Sequence, residues 1–351
     1  MAKKDIMMAN IACAESALRA GCRFFAGYPI TPQTEITEYL ATRMFELDGR
    51  VFVQGESELA SINMVIGASA SGARAMTATS GQGFSLMAEG LSACAGAAIP
   101  VVFVDVERGG PGNCTTEPSQ MDYNMATKTV GHGGFKAFVL APSSVQETAD
   151  FTYEAFDIAD EYRCVVIILT DGMLGHLIET VELKPFRDLS DLPPRPWAAR
   201  GNASGTTNRA GRPPLQGEAW AKEVVKMYEK WDKELTRVEN FMTDDADTLV
   251  LAWGSAARVA KTAIRALRAE GKKVGLIRAI TLNPFPTQAI ASLDPEQVKN
   301  ILVLEDALPA QFYYDVLCAL NGKPIPVSLY TRSMGNMISP EEAEEELRKL
   351  V

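Results

Sequence analysis

The chain has 351 residues, 47% of them hydrophobic and 22% charged, and 34 Lys and Arg oppose 44 Asp and Glu for a net charge of −10. This composition is typical of a globular protein, and the length favours two domains over one. The acidic balance argues against nucleic-acid binding. Because no apolar run approaches the roughly 20 residues of a membrane helix and no secretory leader is evident, we expect a cytoplasmic protein that does not enter a membrane.

Six cysteines are spread along the chain, and no two of them form a C-x-x-C pair. They therefore carry no zinc or iron–sulfur signature, and we expect most of them to be small buried apolar residues. Any iron–sulfur chemistry must come from another chain.

Residues 1–184 alternate strand-like and helix-like patterns, which predicts an α/β domain with a mostly parallel sheet. The apolar segments expected to form its strands are CRFFAG, VFVQ, AMTAT, VVFVDV, AFVLA and CVVIILT. Thr31 followed by Pro32 resembles a helix N-cap with proline at the first helical position. That pattern predicts a helix beginning directly after Thr31.

Residues 185–246 break the alternation and are predicted to be a linker followed by an amphipathic helix. The stretch 193–218 holds five Pro, four Gly and four Arg, which is typical of a long irregular excursion. It is either a mobile loop or an arm that packs on a partner subunit or borders an active site. The helix is expected to cover AWAKEVVKMYEKWDKELTRVENF, with one apolar stripe from Trp220 to Val238.

Residues 247–351 form a second predicted α/β unit, with strands in DTLVLAWG, KKVGLIRA, NILVLED and PIPVSLY. Its first helix should stop at Gly271. Ser339 and Glu342 have the spacing of a capping box that opens the last helix.

Four segments of the first unit follow predicted strands and combine glycine with hydroxyl or charged groups: GYPITPQ, QGESELA, TSGQGFS and VERGGPGN. Ligands of parallel α/β sheets gather at these strand ends, and glycine lets the backbone approach them closely. None of the segments is a Walker loop or a G-x-G-x-x-G fingerprint, which argues against a simple nucleotide site.

Taken together, YPITPQTEI, the ESE at Glu56–Glu58, TSGQGFSLMAEGL and ERGGPGN resemble the α subunit of thiamine-diphosphate-dependent 2-oxoacid:ferredoxin oxidoreductases. The later segments LAWGSAARVAKTAI and LVLEDAL resemble the transketolase C-terminal-like domain of that family. The resemblance implies a pyrimidine-binding α/β domain followed by this second α/β domain. It also implies coenzyme A-dependent oxidative decarboxylation of a 2-oxoacid, of the 2-oxoisovalerate, 2-oxoglutarate or aryl type.

The resemblance assigns roles to single residues. Glu58 matches the catalytic glutamate facing the aminopyrimidine ring, where it favours the imino tautomer that deprotonates the thiazolium carbon. Glu56 is the competing candidate, because a two-residue slip in the match is easy. Arg108 matches the arginine that binds the substrate carboxylate, and Thr31 matches a hydroxyl near the reacting carbon.

The same match implies that eight residues line the cofactor, and it implies no metal ligand on this chain. These residues are Tyr28, Pro29, Ile30, Glu58, Gly81, Gln82, Gly83 and Phe84. The family's diphosphate and magnesium motif, G-D-G followed by an Asn, is not visible. A β subunit is therefore expected to supply the diphosphate half of the site, Mg²⁺ and a [4Fe–4S] cluster. The family further implies γ and ferredoxin-like δ subunits, and ferredoxin or a similar acceptor.

Two other functions remain open from the sequence. One is a non-catalytic subunit that keeps the fold and only scaffolds a partner. The other is a split, non-oxidative thiamine-dependent decarboxylase or carboligase.

Overall fold

The computed structural model describes residues 4–201 and 215–351, which form fourteen strands and twelve helices. The strands are β1 (Asp5–Met8), β2 (Phe24–Gly27), β3 (Val51–Gln54), β4 (Ala75–Thr79), β5 (Val101–Glu107), β6 (Phe138–Leu140), β7 (Val165–Asp171), β8 (Ile178–Val181), β9 (Val238–Phe241), β10 (Thr248–Trp253), β11 (Val274–Ala279), β12 (Thr281–Asn283), β13 (Asn300–Glu305) and β14 (Val327–Thr331). The helices are α1 (Ala9–Arg19), α2 (Thr34–Arg43), α3 (Glu58–Ala70), α4 (Gln82–Ala97), α5 (Tyr123–Thr127), α6 (Val145–Tyr162), α7 (Gly172–Gly175), α8 (Gly217–Glu234), α9 (Gly254–Ala269), α10 (Thr287–Ala291), α11 (Phe312–Leu320) and α12 (Pro340–Arg348).

The first sheet has seven strands in the order β12-β6-β7-β5-β4-β2-β3. All neighbouring pairs are parallel except β12 with β6. Its central strands β5 and β7 are buried along their whole length, as expected of parallel strands with helices on both faces. Their carboxyl ends therefore lie side by side at one edge.

The second sheet has five strands in the order β14-β13-β10-β11-β9, and only β9 is antiparallel to its neighbour. A separate antiparallel pair, β1 with β8, packs beside the first sheet. One continuous apolar core joins the two large sheets, because it contains Phe84 and Phe103 of the first unit as well as Trp253 and Phe312 of the second. The predicted α/β fold is thus present in both units.

Two local predictions are wrong. The helix α2 begins at Thr34 with Gln33 as its N-cap, so Thr31 does not cap it; the Thr31–Pro32 peptide is cis and belongs to the preceding turn. The helix α8 ends at Glu234, and Val238–Phe241 forms the strand β9 instead of its last turn. The edge of the second sheet offers this segment backbone partners on β11, which overrides its helical periodicity.

Other local predictions are confirmed. Ser339 and Glu342 form the reciprocal capping box of α12, and α9 ends just before Gly271, whose φ is +84°. Of the six cysteines, Cys13, Cys22, Cys94 and Cys164 are buried, whereas Cys114 and Cys318 are exposed.

The irregular stretch is described only in part, because residues 202–214 of the predicted excursion 193–218 lie outside the described residues. The described part packs on the first unit: Arg195 donates to Gly72 O at 2.6 Å and forms an ion pair with Asp160. No helix within 4–201 or 215–351 is long and apolar enough to cross a membrane.

A buried arginine joins the two units. Arg278 on β11 is 1% exposed and donates to both carboxylate oxygens of Glu147 on α6, at 2.7 and 2.6 Å. It also donates to Ser143 Oγ at 2.6 Å and lies 2.7 Å from a carboxylate oxygen of Glu239. A buried ion pair of this kind fixes the position of one unit relative to the other. Removing one partner leaves the charge of the other buried and uncompensated.

We expect Glu147→Ala to destabilise the protein by about 2–4 kcal/mol, because Arg278 then keeps only Glu239 as a charged partner. The measurement is the thermal unfolding midpoint of the assembled protein. Lys222→Gln, which removes an exposed pair with Glu218, is the control and should change stability by less than about 0.5 kcal/mol. Equal effects of the two changes would contradict the structural role of Arg278.

Candidate active site

Three of the four strand-end segments converge at the carboxyl edge of the first sheet. Glu58 lies in the first turn of α3, Gln82 begins α4, and Arg108 directly follows β5. Arg108 donates to the backbone oxygen of Thr31, which brings the fourth segment to the same place. The structure therefore assembles Glu58, Thr31, Arg108 and the start of α4 at one edge.

Burial separates the two competing glutamates. Glu58 is 5% exposed, whereas Glu56 is exposed. Ser57 caps α3 by accepting a hydrogen bond from the Ala60 N–H, which fixes Glu58 at the first helical position. No hydrogen bond or ion pair joins the Glu58 carboxylate to another residue of the described chain, so its oxygens are available to a ligand.

Two glycines allow the start of α4 to approach these side chains. A methyl group on Gly83 would lie 2.8 Å from Glu58 Oε1 and would collide with Thr79 Oγ1. Gly81 has a φ of +52°, which side chains rarely adopt, and a methyl group there would lie 3.3 Å from Arg108 Nε. Residues larger than glycine would thus displace both Glu58 and Arg108.

Arg108 is 4% exposed and is held by uncharged acceptors. Its Nη1 donates to Thr31 O at 2.9 Å, and its Nη2 donates to Gln82 Oε1 at 2.6 Å and to Asn113 Oδ1 at 2.9 Å. No carboxylate of the described residues pairs with it, so the ion pair with Glu107 that a strand-end arginine could form is not made. A guanidinium without a contacting carboxylate is suited to binding an anionic ligand.

The remaining predicted cofactor residues differ in position. Tyr28, which is 39% exposed, and Pro29 lie at the surface, and Ile30 is half-buried. Phe84 is fully buried and packs on Phe103 with ring centroids 4.7 Å apart, so it supports the start of α4 from within the core.

Behind Arg108 lies a group of three acids, two buried and one half-buried, that the sequence did not predict. Oxygens of Asp105, Glu107 and Asp122 lie within 4.8 Å of one another. Asp105 and Glu107 are two positions apart on β5, so both side chains point to the same face of the sheet. Acids at positions i and i+2 of an otherwise apolar strand are the sequence signal that could have found them.

Burial sets the protonation of these acids. It raises the pKa of Asp105 and of Glu107 well above the usual range, and the neighbouring Asp122 carboxylate raises both further. Burial raises the pKa of Asp122 to about 6, a rise that the neighbouring Asp105 carboxyl and the charge of Arg108 limit. Because the carboxyl groups of Asp105 and Asp122 lie close together, ionisation of one opposes ionisation of the other.

Known proteins match the chain over nearly its whole length. The pyruvate flavodoxin/ferredoxin oxidoreductase, thiamine diphosphate-binding family matches residues 15–243, and the pyruvate:ferredoxin oxidoreductase core domain II matches residues 246–343. The ketoisovalerate oxidoreductase subunit VorB of Methanothermobacter thermautotrophicus is 41% identical over 349 residues, which is 99% of this chain and 97% of the relative. The chain belongs to the family of 2-oxoacid:ferredoxin oxidoreductase subunits.

Other members of the family and solved structures agree. The 2-oxoglutarate synthase subunit KorA of Methanocaldococcus jannaschii is 37% identical over 368 residues, 97% of this chain and 98% of the relative. A structure of 2-oxoglutarate:ferredoxin oxidoreductase from Magnetococcus marinus, with 2-oxoglutarate, coenzyme A and succinyl-CoA bound, matches with a TM-score of 0.87 and 29% identity. The match covers 99% of this chain and 65% of that one. A split-gene transketolase, at 13% identity and a TM-score of 0.61, shares the fold.

These findings confirm the predicted family, the α/β fold class and the enzyme class. The dependence of this oxidoreductase family on thiamine diphosphate and coenzyme A is likewise confirmed. The subunit names of the relatives show that the chain is one component of a multi-subunit enzyme.

The residues of this oxidoreductase subunit fit the aminopyrimidine half of thiamine diphosphate. Near the unpaired Glu58 carboxylate, the hydroxyl of Thr79 is buried and has no hydrogen-bond partner among the described residues, and neither has that of Ser80, which follows Thr79. Buried polar atoms are normally paired, so unpaired ones at a strand edge indicate a place for a polar ligand or water.

The second unit anchors the segment that follows Arg108. Asp306, after β13, accepts hydrogen bonds at its backbone oxygen from the Gln120 N–H at 2.7 Å and from Ser119 Oγ at 2.9 Å. Its carboxylate accepts from the Ile338 N–H at 2.8 Å, and burial raises its pKa from 3.8 to about 7. The end of the 109–120 segment is thus held by the backbone of Asp306, whose buried carboxylate holds Ile338 of the same unit.

We expect Asp306→Asn to stabilise the protein more at high pH than at low pH. Between about pH 4 and pH 7 the unfolded carboxyl is ionised while the native one keeps its proton, so its contribution to the free energy of unfolding falls as the pH rises. The introduced amide would keep an acceptor for the Ile338 N–H and would not titrate. The measurement compares thermal midpoints of the two assembled proteins from about pH 5 to pH 8.

The control is Asp244→Asn, which changes an exposed carboxylate. A difference between wild type and Asp306→Asn that does not vary with pH would contradict the assignment of a raised pKa to Asp306.

Proposed function

We propose that this chain supplies Glu58, Arg108 and Thr31 to the oxidative decarboxylation of a 2-oxoacid, with release of CO₂ and formation of an acyl-CoA. The observation that supports this most is the convergence of a buried, unpaired glutamate and a buried arginine without a carboxylate partner at one strand edge. A subunit that only scaffolds a partner has no need of either group there.

Each side chain has a role that follows from its chemistry. The Glu58 carboxyl exchanges a proton with a pyrimidine ring nitrogen, and its burial keeps bulk water from competing for that hydrogen bond. Arg108 binds the substrate carboxylate, and the Thr31 hydroxyl contacts the substrate near its 2-oxo group. Thiamine diphosphate, when bound, supplies the carbon nucleophile and electron sink that amino-acid side chains lack.

The cofactor wall would be formed by Tyr28, Pro29 and Ile30 on one side and by Gly81, Gln82, Gly83 and Phe84 on the other. The turn 28–30 is partly exposed and Gly83 faces Glu58, so a planar ring can reach the edge between them. In this proposal, residues 1–184 are the cofactor-facing unit, 185–246 connect the units and 247–351 form the C-terminal unit.

The remaining parts of the enzyme are proposed to lie on other subunits. A β subunit would hold the diphosphate, Mg²⁺ and a [4Fe–4S] cluster, and γ and ferredoxin-like δ subunits would complete the complex. Electrons from the decarboxylation would pass through the cluster to ferredoxin or a similar acceptor in the cytoplasm. The support for this division is that the chain contains neither C-x-x-C pairs nor the G-D-G motif.

The substrate is proposed to be a branched-chain 2-oxoacid such as 2-oxoisovalerate. The segments that border the site, 28–34, 81–86 and 109–120, contain no Lys, Arg or His, so these segments and Arg108 together offer one cation to a carboxylate. A second carboxylate, as in 2-oxoglutarate, would call for a second cation. The 41% identity to a ketoisovalerate oxidoreductase subunit supports the same choice.

Replacing Glu58 by Gln should lower turnover by about 10²–10⁴-fold, because the amide cannot exchange the proton that a catalytic carboxyl exchanges. The measurement is coenzyme A-dependent reduction of a viologen dye by the reconstituted complex with a 2-oxoacid. Size-exclusion chromatography should show unchanged assembly.

The matched control is Glu56→Gln, which alters an exposed carboxylate two residues away and should leave turnover near the wild-type value. If the Glu58→Gln complex assembles and turns over at the wild-type rate, or if Glu56→Gln is the change that abolishes activity, the proposed role of Glu58 is wrong.

With a panel of 2-oxoacids, the complex should show its highest kcat/KM on 2-oxoisovalerate or another branched-chain acid, and a much lower value on 2-oxoglutarate. The physical reason is that Arg108 is the one cation in the described segments that border the site. A preference for 2-oxoglutarate would place a second carboxylate-binding group on the partner and would contradict the substrate assignment.

A further inference from the structure

The Arg108 guanidinium is almost completely covered although it lies at the open edge of the sheet. Three of its five N–H groups are bonded to Thr31 O, Gln82 Oε1 and Asn113 Oδ1. The Nε–H is buried and has no partner among the described residues, which leaves one N–H on Nη1. A substrate carboxylate therefore cannot bind Arg108 in a bidentate manner, through two hydrogen bonds, unless one of the present acceptors leaves.

The three acceptors differ in how firmly they are placed. Thr31 O belongs to the main chain, and Gln82 is half-buried at the first position of α4. Asn113 is exposed, and within the described chain its side chain forms hydrogen bonds with Arg108 and, at 3.3 Å, with Gln82 Nε2. Asn113 is thus the acceptor that a ligand arriving from solvent meets first.

The loop that carries Asn113 is fixed at its base but not at its tip. Arg108 and Pro118 form a β-bridge, and the Gly109 N–H donates to Glu117 O at 2.9 Å. Between these points Asn113 lies next to Gly112, which has a positive φ, and residues 111–114 are all exposed. The side chain can therefore leave Arg108 while the base of the loop stays in place.

We propose that the Asn113 carboxamide occupies the substrate carboxylate's place on Arg108 and is displaced when a 2-oxoacid binds. This inference rests on the proposed role of Arg108. A carboxylate bonds a guanidinium more strongly than a neutral amide oxygen does, so an ionised acid displaces Asn113 and a neutral ketone does not. Asn113 thereby sets substrate affinity and favours ionised acids, without taking part in the reaction.

Two changes at this position should have opposite effects on KM. Asn113→Ala removes the competing acceptor and should lower KM for the 2-oxoacid by about tenfold, because a hydrogen bond from an ionised guanidinium is stronger than one between neutral groups. Asn113→Asp places a tethered carboxylate on Arg108 and should raise KM by about tenfold or more, since a charged acceptor is harder to displace. The value of kcat at saturating substrate should stay near that of the wild type in both.

The measurement is viologen reduction by the assembled complex at varied 2-oxoacid concentration. The inhibition constant of the matching 2-hydroxy acid, which binds without reacting, should shift in the same directions as KM. The control is Thr116→Ala, which changes an exposed residue of the same loop that does not bond to the Arg108 side chain, and it should alter neither constant.

The outcomes separate this inference from the function on which it rests. If Asn113→Ala raises KM, Asn113 supports Arg108 instead of competing with the substrate, and the inference is overturned; an Asn113→Asp complex with wild-type KM overturns it too. If Arg108→Gln leaves KM unchanged, the proposed role of Arg108 fails, and the inference fails with it. Opposite shifts at position 113 together with a raised KM in Arg108→Gln support both.

Discussion

The candidate site depends on a buried arginine whose charge is not neutralised by a contacting carboxylate. Arg108 is bonded only to uncharged oxygens, although Asp105, Glu107 and Asp122 lie close behind it. Burial raises the pKa of Asp105 and Glu107 and so disfavours their charged forms. The positive charge of Arg108, which no carboxylate of the described residues contacts, therefore remains available to an anion at the strand edge.

The same constraint explains why the site needs both α/β units. The segment after Arg108 returns to the protein at Ser119 and Gln120, and both bond to Asp306 of the second unit. Gln120 also donates to Trp253 O, and the strand β12 of the second unit joins the first sheet beside β6. A change in the packing of the two units would therefore move the loop that covers Arg108.

The buried strands and the glycine-rich segments that follow them could be predicted from the sequence, because each is a local pattern of residue types. The resemblance to the family favoured Glu58 and left Glu56 open, and only the fold shows which of the two acids is buried. The cap assigned to Thr31 was wrong because α2 begins only at Thr34, with Gln33 as its N-cap. The helix predicted through Val238–Phe241 was wrong because that segment pairs with the neighbouring strand β11. The bond from Arg108 to Asn113 depends on how a loop folds back, which residue types alone do not encode.

The surface around Glu58 bears on the proposed sharing of the cofactor between subunits. Tyr28, Leu59 and Leu86 flank the strand edge and are 39%, 47% and 49% exposed. Leu59 directly follows Glu58, and Leu86 lies one turn into α4, so apolar surface borders the buried polar groups on more than one element. Large apolar side chains beside a polar cleft are typical of surfaces that another protein covers. Coverage of this edge by a second subunit would remove water from the Glu58 carboxyl and from Arg108. The electrostatic interactions on which both proposed roles depend are stronger when water is excluded.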